Sequence, residues 1–118
     1  MIQEKRKYAR ISTVLNFTYK IKNSAEKEAG AITKDISPGG IGAVLDNRIK
    51  KGDLLELKIS LAGLIKPVRA FAAVAWIKEE THGKLSVGLE FKEIASDDKS
   101  RLFEYICLLM VQELEKIK

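Results

Sequence analysis

The sequence predicts a mainly β protein, in which a small antiparallel barrel is followed by one C-terminal α-helix. Six short segments either alternate apolar and polar side chains or are densely apolar, and glycine-containing turns separate most of them. After residue 95 the apolar spacing changes from two residues to three and four, which indicates a helix. The 118 residues, 46% hydrophobic and 31% charged, suit one soluble domain with a single core.

The first half of the chain contains three predicted strands. From Ile11 to Ile21 every second side chain can face a core, which is typical of a strand with one buried face. A charged hairpin loop follows at residues 22–29, and a second strand is predicted from Gly30 to Ile36. The sequence SPGG at residues 37–40 then predicts a tight turn, because proline and glycine are poor continuations of a strand ladder. Extended structure resumes from Ile41 to Leu45.

The second half of the chain contains three more predicted strands before the helix. The segment from Leu55 to Leu61 alternates most clearly, and it follows a turn at residues 51–53. The segment from Val68 to Ile77 is apolar on both faces, so we expect a strand that is covered on each side. A turn at residues 81–84 leads into the last alternating segment, from Leu85 to Phe91.

Residues 96–117 are predicted to form the helix. Ser96 can cap it, and two aspartates in the first turn complement the positive end of the helix dipole. Its apolar stripe is so wide that Glu104 is the only charged residue between positions 102 and 111, and such a helix must be buried on more than one side. We expect the barrel to cover one side and a partner, such as a second copy bound through residues 97–117, to cover the other. The alternative is that the open end of the barrel covers the whole helix.

The composition excludes several classes of protein. Its single cysteine, Cys107, rules out an internal disulfide framework and a cysteine-built zinc site, and the lone His82 leaves no pair for a metal. No nucleophile–base arrangement is evident, so we predict no enzyme, no catalytic residue, no metal and no cofactor. The longest apolar run, from Ala70 to Ile77, is far shorter than the roughly 20 residues of a membrane span. We therefore expect a cytoplasmic protein without membrane insertion, whose net charge of +5 suits an anionic partner.

A basic motif precedes the first predicted strand. The segment KRKYAR at residues 5–10 places four cations in six positions. Arg6 and Arg10, four residues apart, can present two guanidinium forks to one anion, since each fork matches phosphate oxygens and can stack on a planar base. The alternative is a basic N-terminus that is merely solvated.

A second motif, DISPGG at residues 35–40, lies at the end of a predicted strand. Asp35 can accept hydrogen bonds from the N1–H and the exocyclic amine of a guanine. Ser37 and the amides of the glycine-rich turn can hold a phosphate. The alternative is a plain turn in which Asp35 and Ser37 bond neighbouring backbone amides.

Together the two motifs closely resemble the PilZ domain family, and the resemblance covers essentially the whole chain. The pattern R-x-x-x-R ends at Arg10, and D-x-S-x-x-G begins 25 positions later at Asp35. The segment VGLEF at residues 87–91 is similar to the late strand of the family, which carries a Gly-x-x-Phe signature. The resemblance implies a six- or seven-stranded antiparallel barrel and a bacterial, non-enzymatic receptor for cyclic di-GMP. It also implies the motility or exopolysaccharide regulation that is common in the family.

The resemblance assigns roles to both motifs. Arg6 and Arg10 are expected to clamp guanine and phosphate from a flexible arm, whereas Asp35, Ser37 and Gly40 hold the other side of the ligand from the barrel.

Three further residues are candidates for ligand contact. Lys5 occupies the position that, in the family, influences whether one ligand or an intercalated pair binds, and its charge can help to neutralise a pair. Gly39 belongs to the turn whose amides can hold a phosphate. Trp76 is predicted to pack in the core, and a stacking platform for a guanine is the alternative.

These observations predict one domain over residues 1–118, with a flexible basic arm at 1–10, the barrel at 11–95 and the helix at 96–117. A domain of this size leaves no room for an attached output domain, so we expect the signal to pass to an unidentified downstream effector protein.

Two alternatives stay open for the function. One is an interaction module that acts through helix 97–117 without a nucleotide. The other is a nucleic-acid binder that uses the basic arm, which is disfavoured because Tyr8 is the only aromatic residue of that arm.

Overall fold

Residues 10–63 and 65–117, which the computed structural model describes, form seven β-strands and one α-helix. The bounds of these elements are β1 Ile11–Ser12, β2 Asn16–Ile21, β3 Ala29–Ser37, β4 Gly40–Asp46, β5 Leu54–Ile59, β6 Val68–Glu79, β7 Lys84–Ile94 and α1 Ser96–Ile117. The helix has the predicted bounds, whereas most strands differ from their predicted ends by one to three residues. The predicted arm at residues 1–10 lies outside the described residues, apart from Arg10.

Six of the strands close into an antiparallel barrel, which confirms the predicted fold class. Around the ring the order is β3, β2, β5, β6, β7 and β4, and β4 pairs back with β3. Closure leaves these strands without a free edge, which removes a common site of aggregation. The short strand β1 is additional, and it pairs with β3 beyond the end of β2.

The barrel interior holds the hydrophobic core. On β5 the predicted alternation is confirmed, because Leu55, Leu57 and Ile59 are each at most 1% exposed while the residues between them are half-buried. Alternating side chains of the other strands meet them, since successive strand residues point to opposite faces. The largest fully buried side chains are Ile36, Ile41, Leu45, Leu55, Leu57, Ile59, Val68, Val74, Val87, Leu89, Leu102 and Ile106.

The predicted single strand from Ile11 to Ile21 is wrong, because a bulge divides it into β1 and β2. Three residues, 13–15, lie opposite two residues of β3, 33 and 34. The buried hydroxyl of Thr33 donates to the carbonyl of Thr13 at 2.7 Å and accepts from the amide of Leu15 at 2.9 Å. This side chain therefore satisfies the backbone groups that the bulge removes from the ladder.

A second bulge changes the facing of β6. Val74 pairs with Leu89 in the core, but the next pair in the ladder is Trp76 with Gly88, so Ala75 is the extra residue. Beyond the bulge the alternation is reversed, and Trp76 points outward with 42% of its surface exposed. The prediction that β6 is covered on both sides is therefore wrong at this end.

The helix packs its first half on the barrel. It contacts β6 and β1, and it buries Leu102 and Ile106. Arg101 adds a polar attachment, since its guanidinium donates to the carbonyls of Lys66 at 2.8 Å and Pro67 at 3.2 Å, just before β6.

The second half of the helix has an uncovered apolar face. Leu108, Val111 and Leu114 are 53%, 51% and 64% exposed, and Cys107 is exposed as well. The barrel thus covers one side of α1, and the alternative that it covers the whole helix is wrong. None of the described helical structure combines the length and the apolarity needed to span a bilayer.

Candidate functional site

The pairing of β1 with β3 brings Arg10, the last residue of the first sequence motif, beside Asp35, the first residue of the second. Ile11 lies opposite Ile36, so Arg10 stands beside the end of β3, and its Nη1 donates to Oδ1 of Asp35 at 3.0 Å. The two side chains are 20% and 27% exposed, which makes this a partly buried ion pair at the surface of the barrel. Arg6 and Lys5, the other cationic candidates, lie outside the described residues.

The carboxylate of Asp35 is held by one of its two oxygens. Oδ1 also accepts the backbone N–H of Gly42 at 3.1 Å, whereas no hydrogen bond to Oδ2 is found within residues 10–63 and 65–117. A side chain at position 42 would crowd this arrangement, because a Cβ there would lie 2.8 and 2.9 Å from the two oxygens. Gly42 is therefore part of the site, although the sequence motif does not include it. The sequence analysis missed Gly42, and the alternation of glycines at positions 40 and 42 is the signal that could have indicated it.

Ser37 and Gly40 shape the turn between β3 and β4. The hydroxyl of Ser37 is buried, accepts the amide of Gly39 at 3.1 Å and donates to the carbonyl of Gly40 at 3.4 Å. Gly40 has no room for a side chain, because a Cβ would lie 2.0 Å from the carbonyl oxygen of Leu89 on β7. These contacts of Ser37 are the ones that the plain-turn alternative predicts. The Gly39 amide, which was expected to hold a phosphate, donates to the Ser37 hydroxyl instead.

Trp76 lies over a glycine on the outer face of the barrel. A Cβ at Gly88, its cross-strand partner, would lie 2.0 Å from the indole Nε1 and 2.5 Å from Cε2. The ring therefore rests directly on the backbone of β7, in space that another residue at position 88 would fill. The predicted core packing of Trp76 is wrong, and its 42% exposure leaves the ring accessible.

A surface cleft of about 540 Å³ connects these features. Its volume falls within the range of sites that bind small molecules, about 300–1,000 Å³. Asp35 does not line the cleft itself, but it holds Arg10, which does. The lining also includes residues of β7 and of the helix that neither motif contains. The described lining residues are Arg10, Ser37, Pro38, Gly39, Gly40, Ala75, Trp76, Gly88, Leu89, Glu90, Phe91, Lys92, Glu93, Ile94, Lys99 and Phe103.

The described residues contain no cluster of histidine, cysteine and carboxylate side chains that could hold a metal ion. His82 lies in the turn before β7, where its φ of 60° places it in the left-handed region. It does not line the cleft.

Comparison with known families and structures gives a consistent result. The sequence matches the PilZ domain family over residues 4–107. The inhibitor of motility MotI/DgrA from Bacillus subtilis is 26% identical, with a TM-score of 0.75 over 98% of this chain and 55% of that chain. This protein therefore spans about half the length of that structure. A comparison with curated protein sequences gives no significant match.

Two more distant structures share the fold. The PilZ domain of YcgR from Escherichia coli, solved with c-di-GMP, is 18% identical, and the alignment covers 97% of this chain and 98% of that one at a TM-score of 0.72. The MrkH–c-di-GMP complex of K. pneumonia is 19% identical, with a TM-score of 0.74 over 99% of this chain and 56% of that one.

Proposed function

Because the chain belongs to the PilZ domain family, we propose that it is a non-enzymatic receptor for cyclic di-GMP that relays binding to a partner protein. The contact between Arg10 and Asp35 carries the proposal, since it joins the last residue of one motif to the first residue of the other, 25 positions later, at the edge of one cleft. The presence of c-di-GMP in the YcgR and MrkH structures, which share the fold, supports the identity of the ligand.

The polar groups of the site suit the two parts of this ligand. Arg10 uses one nitrogen for Asp35, and a guanidinium has five N–H donors, so further donors can bind a phosphate. In the proposed complex the Asp35 carboxylate accepts the N1–H and the amine of a guanine, with Oδ2 as the oxygen that has no hydrogen bond within the described residues. Arg6 and Lys5 add positive charge from the N-terminal motif, which favours a dianion.

The remaining candidate residues contribute shape and stacking. Ser37, Gly39 and Gly40 keep the turn beside the cleft in its tight conformation. Trp76 offers an exposed indole face, and stacking of one base on an aromatic side chain contributes about 1–3 kcal/mol. In this proposal Trp76 is the platform for a guanine.

Calorimetric titration with cyclic di-GMP tests the proposal. We expect saturable binding by the wild type and a loss of at least about tenfold in affinity for Arg10→Ala, because a hydrogen bond to a charged group contributes about 1.5–3 kcal/mol. Arg48→Ala is the matched control. It removes the same charge and also breaks an ion pair, with Asp46 at 2.9 Å, but Arg48 does not line the cleft. Absence of saturable binding, or an equal loss in both variants, would contradict the proposal.

The uncovered face of α1 favours a second candidate function, protein–protein interaction through the helix without a nucleotide. Leu108, Val111 and Leu114 form an apolar strip that the barrel does not cover, and apolar surface of this kind commonly marks an interface. For a second copy as the partner, light scattering should report a dimer. Leu114→Glu should then give a monomer, whereas Asp35→Ala should stay a dimer because this function does not use the nucleotide motifs. A monomeric wild type would contradict self-association.

A further inference from the structure

The helix supplies a second wall of the cleft. Lys99 and Phe103 line the same cleft as Arg10 and Trp76, although neither belongs to the two sequence motifs. They are four residues apart on α1 and therefore share one face of the helix. The Lys99 ammonium lies 5.5 Å from the centre of the Phe103 ring, so the two side chains form a local pair.

Lys99 differs in its charge balance from the other described cations of the cleft. Arg10 is paired with Asp35, and Lys92 is paired with Glu90. For Lys99, no carboxylate partner is found in the described part of the chain. An anion gains more from a cation whose charge is not already neutralised, so among the described cations of this cleft Lys99 has the charge least offset by a carboxylate and suits a phosphate.

Phe103 offers an apolar surface near that cation. Its side chain is half-buried and borders the cleft. Cyclic di-GMP has two guanines, and Trp76 can cover only one of them. A second aromatic ring in the same cleft suits the other guanine, since every base has a π-face that stacks on aromatic side chains.

We propose that α1 forms a second subsite for the dinucleotide, in which Phe103 packs against a guanine and Lys99 pairs with a phosphate. The inference rests on the proposed function and extends the site beyond the two motifs. It places the ligand in direct contact with the helix that packs on β1, the strand that follows Arg10, and on β6, the strand that carries Trp76.

A matched pair elsewhere on the molecule provides the control. The Lys22 ammonium lies 4.8 Å from the centre of the Phe71 ring, Lys22 is exposed like Lys99, and Phe71 is half-buried like Phe103. Neither Lys22 nor Phe71 lines the cleft. Lys22→Gln and Phe71→Leu therefore remove the same chemical groups outside the lining of the cleft.

The experiment measures the affinity of five proteins for cyclic di-GMP by calorimetry. Lys99→Gln is expected to weaken binding about two- to fivefold, the effect of losing one exposed ion pair. Phe103→Leu should weaken it about tenfold through lost stacking. Lys22→Gln and Phe71→Leu should bind as the wild type does.

The outcomes separate this inference from the proposed function. A wild type that does not bind overturns both. A wild type that binds, together with wild-type affinity in Lys99→Gln and Phe103→Leu, overturns the subsite alone, and so do equal losses in the control pair. If circular dichroism shows that Phe103→Leu is unfolded, the exposed position Lys99 provides the test. Equal affinities of Lys99→Gln and Lys22→Gln for cyclic di-GMP would then overturn the subsite.

Discussion

Replacing Gly88 with alanine should displace the indole of Trp76. The new methyl carbon would lie 2.0 Å from Nε1, and ordinary contact begins at 3.4 Å, so the ring must move by about 1.4 Å. The indole can move because it is a partly exposed side chain. The barrel should therefore keep its strand pairing while the stacking surface changes position.

The expected cost in stability is small. An aromatic side chain buries up to about 250 Å², and Trp76 keeps 42% of its surface exposed. A displacement that lifts half of the buried part into water exposes about 70 Å² and costs about 2 kcal/mol at about 25 cal/mol per Å². Alanine in place of a strand glycine offsets roughly 0.5–1 kcal/mol of this loss. We expect the free energy of unfolding to fall by about 1 kcal/mol.

The chain has a single tryptophan, so its fluorescence reports on this position alone. Gly88→Ala should shift the emission to the red and increase quenching by acrylamide, and its affinity for cyclic di-GMP should fall. Gly30→Ala is the control, because no atom lies within 4 Å of a Cβ at that strand position. Unchanged emission, quenching and affinity in Gly88→Ala would refute the contact between the indole and the glycine.

Two other substitutions test separate parts of the molecule. Gly42→Ala should push the Asp35 carboxylate away from its backbone donor and weaken binding of cyclic di-GMP in calorimetry, with a loss of stability of about 1–2 kcal/mol in urea; affinity equal to that of the Gly30→Ala control would contradict it. Partial burial raises the pKa of Asp46, but hydrogen bonds and the charge of Arg48 outweigh it and hold that pKa below 3.8. The pKa of Asp46 is thus lower in the folded protein than in the unfolded chain. The interaction of Asp46 with Arg48 therefore stabilises the fold above pH 3.8, and this contribution disappears as the pH falls through the lowered pKa. Asp46→Asn should thus unfold more easily than the wild type in urea at neutral pH, by less than about 1 kcal/mol, with the difference vanishing in acid; a difference that persists in acid would contradict the pairing.

The period of the apolar residues was sufficient to predict the barrel and the helix. On β5 the buried side chains are those that the alternation selects, and α1 begins and ends at the predicted residues. Both elements have regular backbones, in which the side-chain direction follows from position in the sequence alone. The same rule predicted one strand from Ile11 to Ile21, where the structure has two.

The errors lie at β-bulges, which sequence periodicity does not reveal. One extra residue, Ala75, reverses the facing of every later residue on β6, so Trp76 is outside although its number has the parity of the buried Val74. The position of a bulge depends on the residues of the partner strand as well as on the residues of the bulged strand. Gly88 allows the indole to lie across β7, and that contact depends on a register which a single sequence does not give.

Residues of the two sequence motifs were predicted for the candidate site, whereas Gly42, Gly88 and the helix residues of the cleft were not. Arg10 and Asp35 were predicted because their chemistry suits a nucleotide and because the two motifs together resemble the PilZ family. Gly42 has no chemistry of its own, and its role appears only once the carboxylate lies against it. Lys99 and Phe103 were interpreted as part of the helix, because the cleft that includes them forms only when α1 packs on the barrel.

Three glycines of the site differ in what a side chain would displace, and this difference separates binding from folding. At Gly40 the obstacle is the backbone of the neighbouring strand, so a substitution there strains the barrel. At Gly42 and Gly88 the obstacles are the ends of side chains, a carboxylate and an indole, which can move while the strands stay paired. Alanine at either of these two positions therefore disturbs one proposed ligand contact without removing a charge or an aromatic ring. Loss of binding in such a variant would identify the geometry of the site, rather than its net charge, as the basis of recognition.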